Sequence, residues 1–121
     1  DLRHVALQKM DALDMEFPDD TFDRVLAAYV VTTVPDPIRL VREIKRVTKP
    51  GGRFVLLNHF QSTNPVFGRI EHVISPLTRR AGFRTDLALD DFARMADLSV
   101  RLIKSVNLFG HWKMVECVNI K

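Results

Sequence analysis

Six polar side chains each fall just after a run of apolar residues: Asp11, then Tyr29, Thr32 and Thr33, then Asn58 and His59. A carboxylate accepts hydrogen bonds, a phenol offers a ring and a hydroxyl, and an imidazole can donate or accept. Side chains of these types could line one ligand-binding cleft although they lie far apart in sequence. Other chemistries lack their residues. There is no phosphate loop, no Gly-x-Gly-x-x-Gly, no Gly-x-Ser-x-Gly and no zinc spacing, so no metal is expected. Cys117 is the one cysteine and sits in an apolar run, which predicts an inert thiol and no internal disulfide.

The elements that must position these residues follow from patterning. His4 to Met10 alternates weakly and reads as a strand, with Asp11 to Pro18 a loop. Pro18-Asp19-Asp20-Thr21 is turn chemistry. Phe22 to Val31 is almost continuously apolar, as in a parallel strand covered on both faces. Asp36 and Pro37 cap and open a helix. Its apolar face is Ile38, Leu40, Val41, Ile44 and Val47, and Lys49-Pro50-Gly51-Gly52 closes it as a turn. Arg53 to His59 is the next buried strand, so 22–59 reads strand–helix–strand with a right-handed crossover. Residues 65–82 read as helical, kinked at Pro76. Asp90 to Ala96 reads as a short helix. Ser99 to Leu108 and His111 to Ile120 are joined too tightly for a crossover and must form an antiparallel hairpin. The fold class is α/β, with a parallel centre and a terminal antiparallel pair. In such sheets ligands bind beyond the strand carboxyl ends, where Asp11, Tyr29, Asn58 and His59 fall. Plainer readings stand beside this one: Asp11 as a turn residue, Tyr29 as a core aromatic, His59 as a solvated loop residue.

The composition, 46% hydrophobic and 27% charged, is that of one globular domain of 121 residues. No apolar run is long enough for a membrane-spanning helix. The net charge of +3 is concentrated between Pro65 and Arg84, where Arg69, Arg79, Arg80 and Arg84 face Glu71 alone. Such a patch attracts phosphate, an acidic protein or an anionic membrane, or is simply a solvated helix face.

Met10-Asp11-Ala12, then Phe17 to Val25, then Lys49-Pro50-Gly51-Gly52-Arg53 resembles the C-terminal portion of a class I S-adenosylmethionine-dependent methyltransferase with its Rossmann-like sheet. The resemblance spans essentially the whole chain. Ala28 to Pro37, Leu57-Asn58-His59-Phe60, Ser75-Pro76-Leu77 and Gly82 to Asp86 are similar, more narrowly, to the bacterial phosphatidylethanolamine N-methyltransferases. The resemblance implies S-adenosyl-L-methionine as cofactor. Asp11 and Ala12 would hold adenine, and Ala28, Tyr29 and Val30 would lie beside the methionine part. Tyr29 and His59 become the catalytic candidates, and Asn58, His59, Arg79, Arg80 and Arg84 the substrate-binding ones. The partner implied is a phospholipid at the inner face of a bacterial membrane, met peripherally from the cytoplasm, with no nucleic acid involved. Oligomeric state is left open. The chain departs from the family in lacking the first two strands, the first of which carries the glycine-rich cofactor loop. Residues 1–121 are thus expected to form a single partial domain that binds no cofactor alone. Its strand at 22–31 should have one bare edge, and residues 1–20 should be loosely attached or paired to a non-native neighbour. Other small-molecule methyltransferases, acting on a quinone precursor or a soluble amine, and a non-catalytic lipid- or protein-binding fragment are the alternative readings.

Overall fold

The computed structural model describes residues 2–60, 69, 73, 76, 88–106 and 112–121. Four strands and two helices follow in the order β1 (Phe22–Ala28), α1 (Pro37–Val47), β2 (Thr48–His59), α2 (Leu89–Met95), β3 (Val100–Ser105) and β4 (Trp112–Val118). The sheet order is β1-β2-β4-β3. β1 and β2 are parallel, and β4 runs antiparallel to both β2 and β3. The parallel centre and the hairpin are therefore as the patterning predicts. As the family resemblance implies, β1 has a strand neighbour on one side only among the described residues.

α1 forms where its cap chemistry places it. The Asp36 carboxylate accepts from the Arg39 N–H at 2.9 Å, and Pro37 opens the first turn. Leu40, Val41, Ile44 and Val47 are buried at helical spacing. They meet the inward residues of alternating strands: Ala27 of β1, Phe54 and Leu56 of β2, and Val115 and Cys117 of β4. Cys117 is buried there, and burial pushes its thiol up to about 11. α2 adds Leu89 and Phe92 to the same layer, with Phe92 and Phe60 rings 6.0 Å apart. Lys45 reaches from α1 to the Ala96 and Asp97 carbonyls, satisfying acceptors that α2 leaves open at its end. On the opposite face of the sheet, Leu26 is 67% exposed while Val55, Leu57 and Met114 are half-buried.

Three expectations need correction. Residues 4–10 form no strand, and Leu2 to Lys9 are exposed. An isolated strand has no ladder to hold it, and Leu7 buries almost nothing at 94% exposure. This segment thus takes the loosely attached alternative. β1 ends at Ala28 rather than Val31, because Tyr29 turns to a φ of +62° and breaks the pleat. The Lys49–Gly52 turn lies inside β2 rather than before it. Phe22 pairs with Thr48 but Arg24 with Arg53, so three extra residues of β2 loop out there. Gly51 supplies the φ of +74° that the loop needs. Gly52 supplies space: a Cβ there would stand 2.9 Å from the carbonyl oxygens of both Asp23 and Lys49.

Gly52→Ala should therefore destabilise the protein by about 1–3 kcal/mol, as overpacking against backbone does. Chemical denaturation measures this, with Gly52→Ser expected to be no better tolerated.

Candidate functional site

The carboxyl edge of the parallel pair is built around one buried amide. Asn58, 1% exposed, accepts from the Val31 N–H at 3.0 Å and donates to Thr32 Oγ1 at 2.6 Å. The Tyr29 N–H donates to the Leu57 carbonyl at 2.8 Å as the last rung of the ladder. The chain then turns: Val30 O accepts from the Thr33 and Val34 N–H groups and from Thr33 Oγ1. These bonds hold Tyr29 in the left-handed region, which costs a residue with a side chain about 1–3 kcal/mol. The result is a phenol ring held outward, 55% exposed, at the end of β1.

That ring packs on another. Tyr29 and Trp112 have centroids 5.3 Å apart at 77°, and His59 and Trp112 are 5.5 Å apart at 75°. Edge-to-face pairs of this kind contribute about 0.5–1.5 kcal/mol beyond area burial. Trp112 enters because β4 is antiparallel: its first residue pairs with His59, the last of β2. Sequence reading placed Trp112 only in an apolar strand and missed it as a site residue. The signal was its place at the start of the returning strand, which is legible only once the register is known.

Asp11 and Ala12 lie on a separate loop. Asp11 Oδ1 accepts from the Leu13 N–H at 2.8 Å, and the Asp11 carbonyl accepts from the Asp14 N–H. Leu13 is buried and anchors the turn, while Asp11 is exposed. The second Asp11 oxygen and the Ala12 N–H make no bond among the described residues. One free acceptor beside one free donor matches the edge of an adenine ring. Ala28 and Val30, flanking Tyr29, are half-buried.

The loop after Asp11 is clamped to α1 by Glu43 and Arg46. Glu43 accepts from the Met15 N–H at 2.8 Å. Arg46 donates to Glu43, to the Met15 and Phe17 carbonyls and to Asp19. The Arg46 hydrogen bond holds the Glu43 carboxyl below its ordinary value, against the opposing effect of burial. Glu43 and Asp19 in turn raise Arg46.

The structure thus packs Tyr29 and His59 each against Trp112, whereas Asn58, expected from the resemblance to bind substrate, is buried with its amide bonded to Val31 and Thr32. Arg79, Arg80 and Arg84 lie outside the described residues. Arg69, Val73 and Pro76 of the same basic segment are exposed helical positions. Among the described residues no group of His, Cys, Asp and Glu could hold a metal, and no helix is long and apolar enough to cross a membrane.

The lowered Glu43 sets a pH dependence. A carboxylate whose folded value lies below its unfolded one stabilises the fold above the unfolded value, near 4.5, and that stability is lost as pH falls through the lowered folded value. Glu43→Gln should therefore flatten the acid limb of a stability-against-pH curve measured by denaturation and leave Met15–Asp19 more open to proteolysis at neutral pH.

Comparison with known proteins meets this geometry. Residues 1–56 match a sequence family described as a methyltransferase domain. The chain is 37% identical over 84 residues to a phosphatidylethanolamine N-methyltransferase of Cereibacter sphaeroides, covering 69% of this chain and 41% of that protein. It is 44% identical over 69 residues to a demethylmenaquinone methyltransferase of Halalkalibacterium halodurans, covering 57% and 28%. The chain thus spans well under half the length of these relatives. The fold matches a crystal structure of a methyltransferase from Bacillus halodurans with a TM-score of 0.74 at 16% identity, over 93% of this chain and 71% of that one. A methyltransferase from Methanosarcina mazei matches at 0.69 and 18%, over 92% and 65%. The chain is thus similar in sequence to S-adenosylmethionine-dependent methyltransferases and shares their fold, and S-adenosyl-L-methionine is the cofactor that this similarity implies.

Proposed function

We propose that the protein carrying this chain is an N-methyltransferase that acts on the amine of phosphatidylethanolamine and of its monomethyl and dimethyl derivatives. The observation that carries this is the outward Tyr29 ring beside His59 at the carboxyl edge of the sheet. S-adenosyl-L-methionine, when bound, supplies an electrophilic methyl group. The chain's own residues do the rest. Asp11 accepts from the adenine amine, and the Ala12 N–H donates to the ring. Ala28 and Val30 line the methionine part. Holding an amine nitrogen in line with the methyl lowers much of the barrier by orientation alone. The amine arrives protonated, and His59 takes its proton. The Tyr29 face steadies the cationic product. Arg79, Arg80 and Arg84 meet the lipid phosphate and an anionic inner membrane surface, at which the enzyme works peripherally from the cytoplasm.

Similarity to the Cereibacter sphaeroides enzyme supports the lipid amine. The second reading, a quinone precursor as substrate, is favoured by relatives with demethylmenaquinone methyltransferase names at 38–44% identity.

The deciding assay is transfer of radiolabelled methyl groups by the full product of the gene. Label should enter phosphatidylethanolamine vesicles and not demethylmenaquinone; the reverse would replace the first reading with the second. In the same protein Asp11→Ala should weaken cofactor binding roughly tenfold or more, since a hydrogen bond to a charged group is lost. Calorimetry reads this directly, and unchanged affinity would remove Asp11 from the site.

The membrane half has its own test. Neutralising Arg79, Arg80 and Arg84 together should reduce binding to anionic vesicles at low salt, at about 1 kcal/mol for each charge near the surface. Cofactor affinity should stay within experimental error. Indifference of vesicle binding to all three would leave the basic segment a solvated helix face.

A further inference from the structure

The Tyr29–Trp112–His59 cluster does more than flank a reacting amine. Both outer rings stand nearly perpendicular to the indole, at 77° and 75°, with centroids 5.3 and 5.5 Å from it. Perpendicular rings make corners, and a cation seated in a corner meets more than one π-face. The cluster is accessible: Tyr29 is 55% exposed, and Trp112 and His59 are half-buried. It is also held in place. Tyr29 is fixed by its ladder bond to Leu57 and by the Asn58 tie beneath it, and Trp112 is fixed by its pairing with His59. A pre-positioned aromatic corner favours a cation that is large, weakly hydrated and unable to donate hydrogen bonds. Ammonium itself is strongly hydrated and loses more on leaving water. Each added methyl group spreads the charge and adds apolar surface that the rings can cover.

We propose that Trp112, Tyr29 and His59 form a binding subsite for methylated ammonium groups, with affinity rising with each methyl group from a primary to a quaternary ammonium. The inference rests on the amine-methyltransferase reading and deepens it. Trp112 becomes a ligand-contacting residue. The partly methylated head group binds better than the unmethylated one, which favours its return for the next transfer. The fully methylated product binds best and competes with substrate.

The sequence contains one tryptophan, so intrinsic fluorescence of the chain reports from the subsite itself. The titration uses ammonium, methylammonium, dimethylammonium and tetramethylammonium chlorides at constant ionic strength, with neutral 3,3-dimethylbutanol as the uncharged counterpart. Saturable change in Trp112 emission should appear at successively lower concentration along the methylated series. The neutral alcohol should require several-fold more than tetramethylammonium. Tyr29→Leu should raise the tetramethylammonium half-point several-fold, whereas Tyr29→Phe, which keeps the ring face, should stay within about twofold. An order that does not follow methylation, an alcohol as effective as the cation, or a Tyr29→Leu protein binding like the parent would each overturn the subsite.

A second measurement covers failure of the isolated chain to hold its fold. In the full gene product, Trp112→Leu should raise KM for the dimethylated amine lipid more than for the unmethylated one. Equal rises would overturn the subsite. The two proposals separate cleanly. Tetramethylammonium binding without methyl transfer to any amine removes the enzymatic reading and leaves the subsite. Methyl transfer to the amine without graded ammonium binding does the opposite.

Discussion

The Asn58 side chain has almost no access to water, so its amide must find partners within the protein. It finds them in the Val31 N–H and the Thr32 hydroxyl, twenty-six or twenty-seven residues earlier in the chain. This tie converts the end of β1 from a frayed strand into a fixed turn. Without it the Val31 N–H would be buried with no acceptor, a cost of about 1–3 kcal/mol. That is of the same order as the left-handed strain at Tyr29, which the tie offsets. The position of the Tyr29 ring follows from that balance, and so does the aromatic cluster around it.

The two halves of the edge are held by different physics. Around Tyr29 the ties are neutral hydrogen bonds, those of Asn58 fully buried, which salt hardly touches. Around Asp11 they are the Glu43–Arg46 pair and its reach to Met15, Phe17 and Asp19, with the arginine side chain 30% exposed and the Asp19 side chain 71% exposed. Part of that clamp is screened by salt and undone by acid, so the loop from Asp11 to Asp19 softens under conditions that leave the aromatic edge intact. The order in which the edge comes apart is therefore set by composition: charge on the Asp11 side, buried amide and rings on the other.

Much of the fold was legible in the sequence because its elements announce themselves locally. Asp36-Pro37 specifies a helix start through cap and φ, and the spacing of Leu40, Val41, Ile44 and Val47 specifies its buried face. The apolar run 22–31 specifies a strand, though not where it ends. What was not legible depended on partners far away. Residues 4–10 alternate as a strand does, but a strand exists only with a ladder. Tyr29 reads as one more strand residue, because nothing local forces a tyrosine to positive φ; the Asn58 tie does. Nothing local marks Glu43 and Arg46 as a clamp, because their targets are loop carbonyls and an amide nearly thirty residues before them. The site was half legible for the same reason. Residues at the ends of parallel strands can be counted off from the patterning, and Tyr29 and His59 were placed at one edge that way, whereas Asp11 was counted from a strand at 4–10 that does not form.

Trp112 shows where that counting rule stops. Parallel strands bring their carboxyl ends to one edge, so a search for site residues looks at strand ends. An antiparallel neighbour brings its amino end to the same edge. β4 pairs with β2 from Arg53–Val118 through to His59–Trp112, so its first residue faces the last residue of β2. A parallel sheet that ends in a hairpin must therefore draw part of its ligand edge from a strand beginning. Large aromatic residues tolerate that position well, since one face can pack on the sheet while the other remains open to the cleft. The hairpin in this chain extends the core through Val115 and Cys117 and carries a ring to the edge through Trp112, with alternate residues of one strand serving the two purposes.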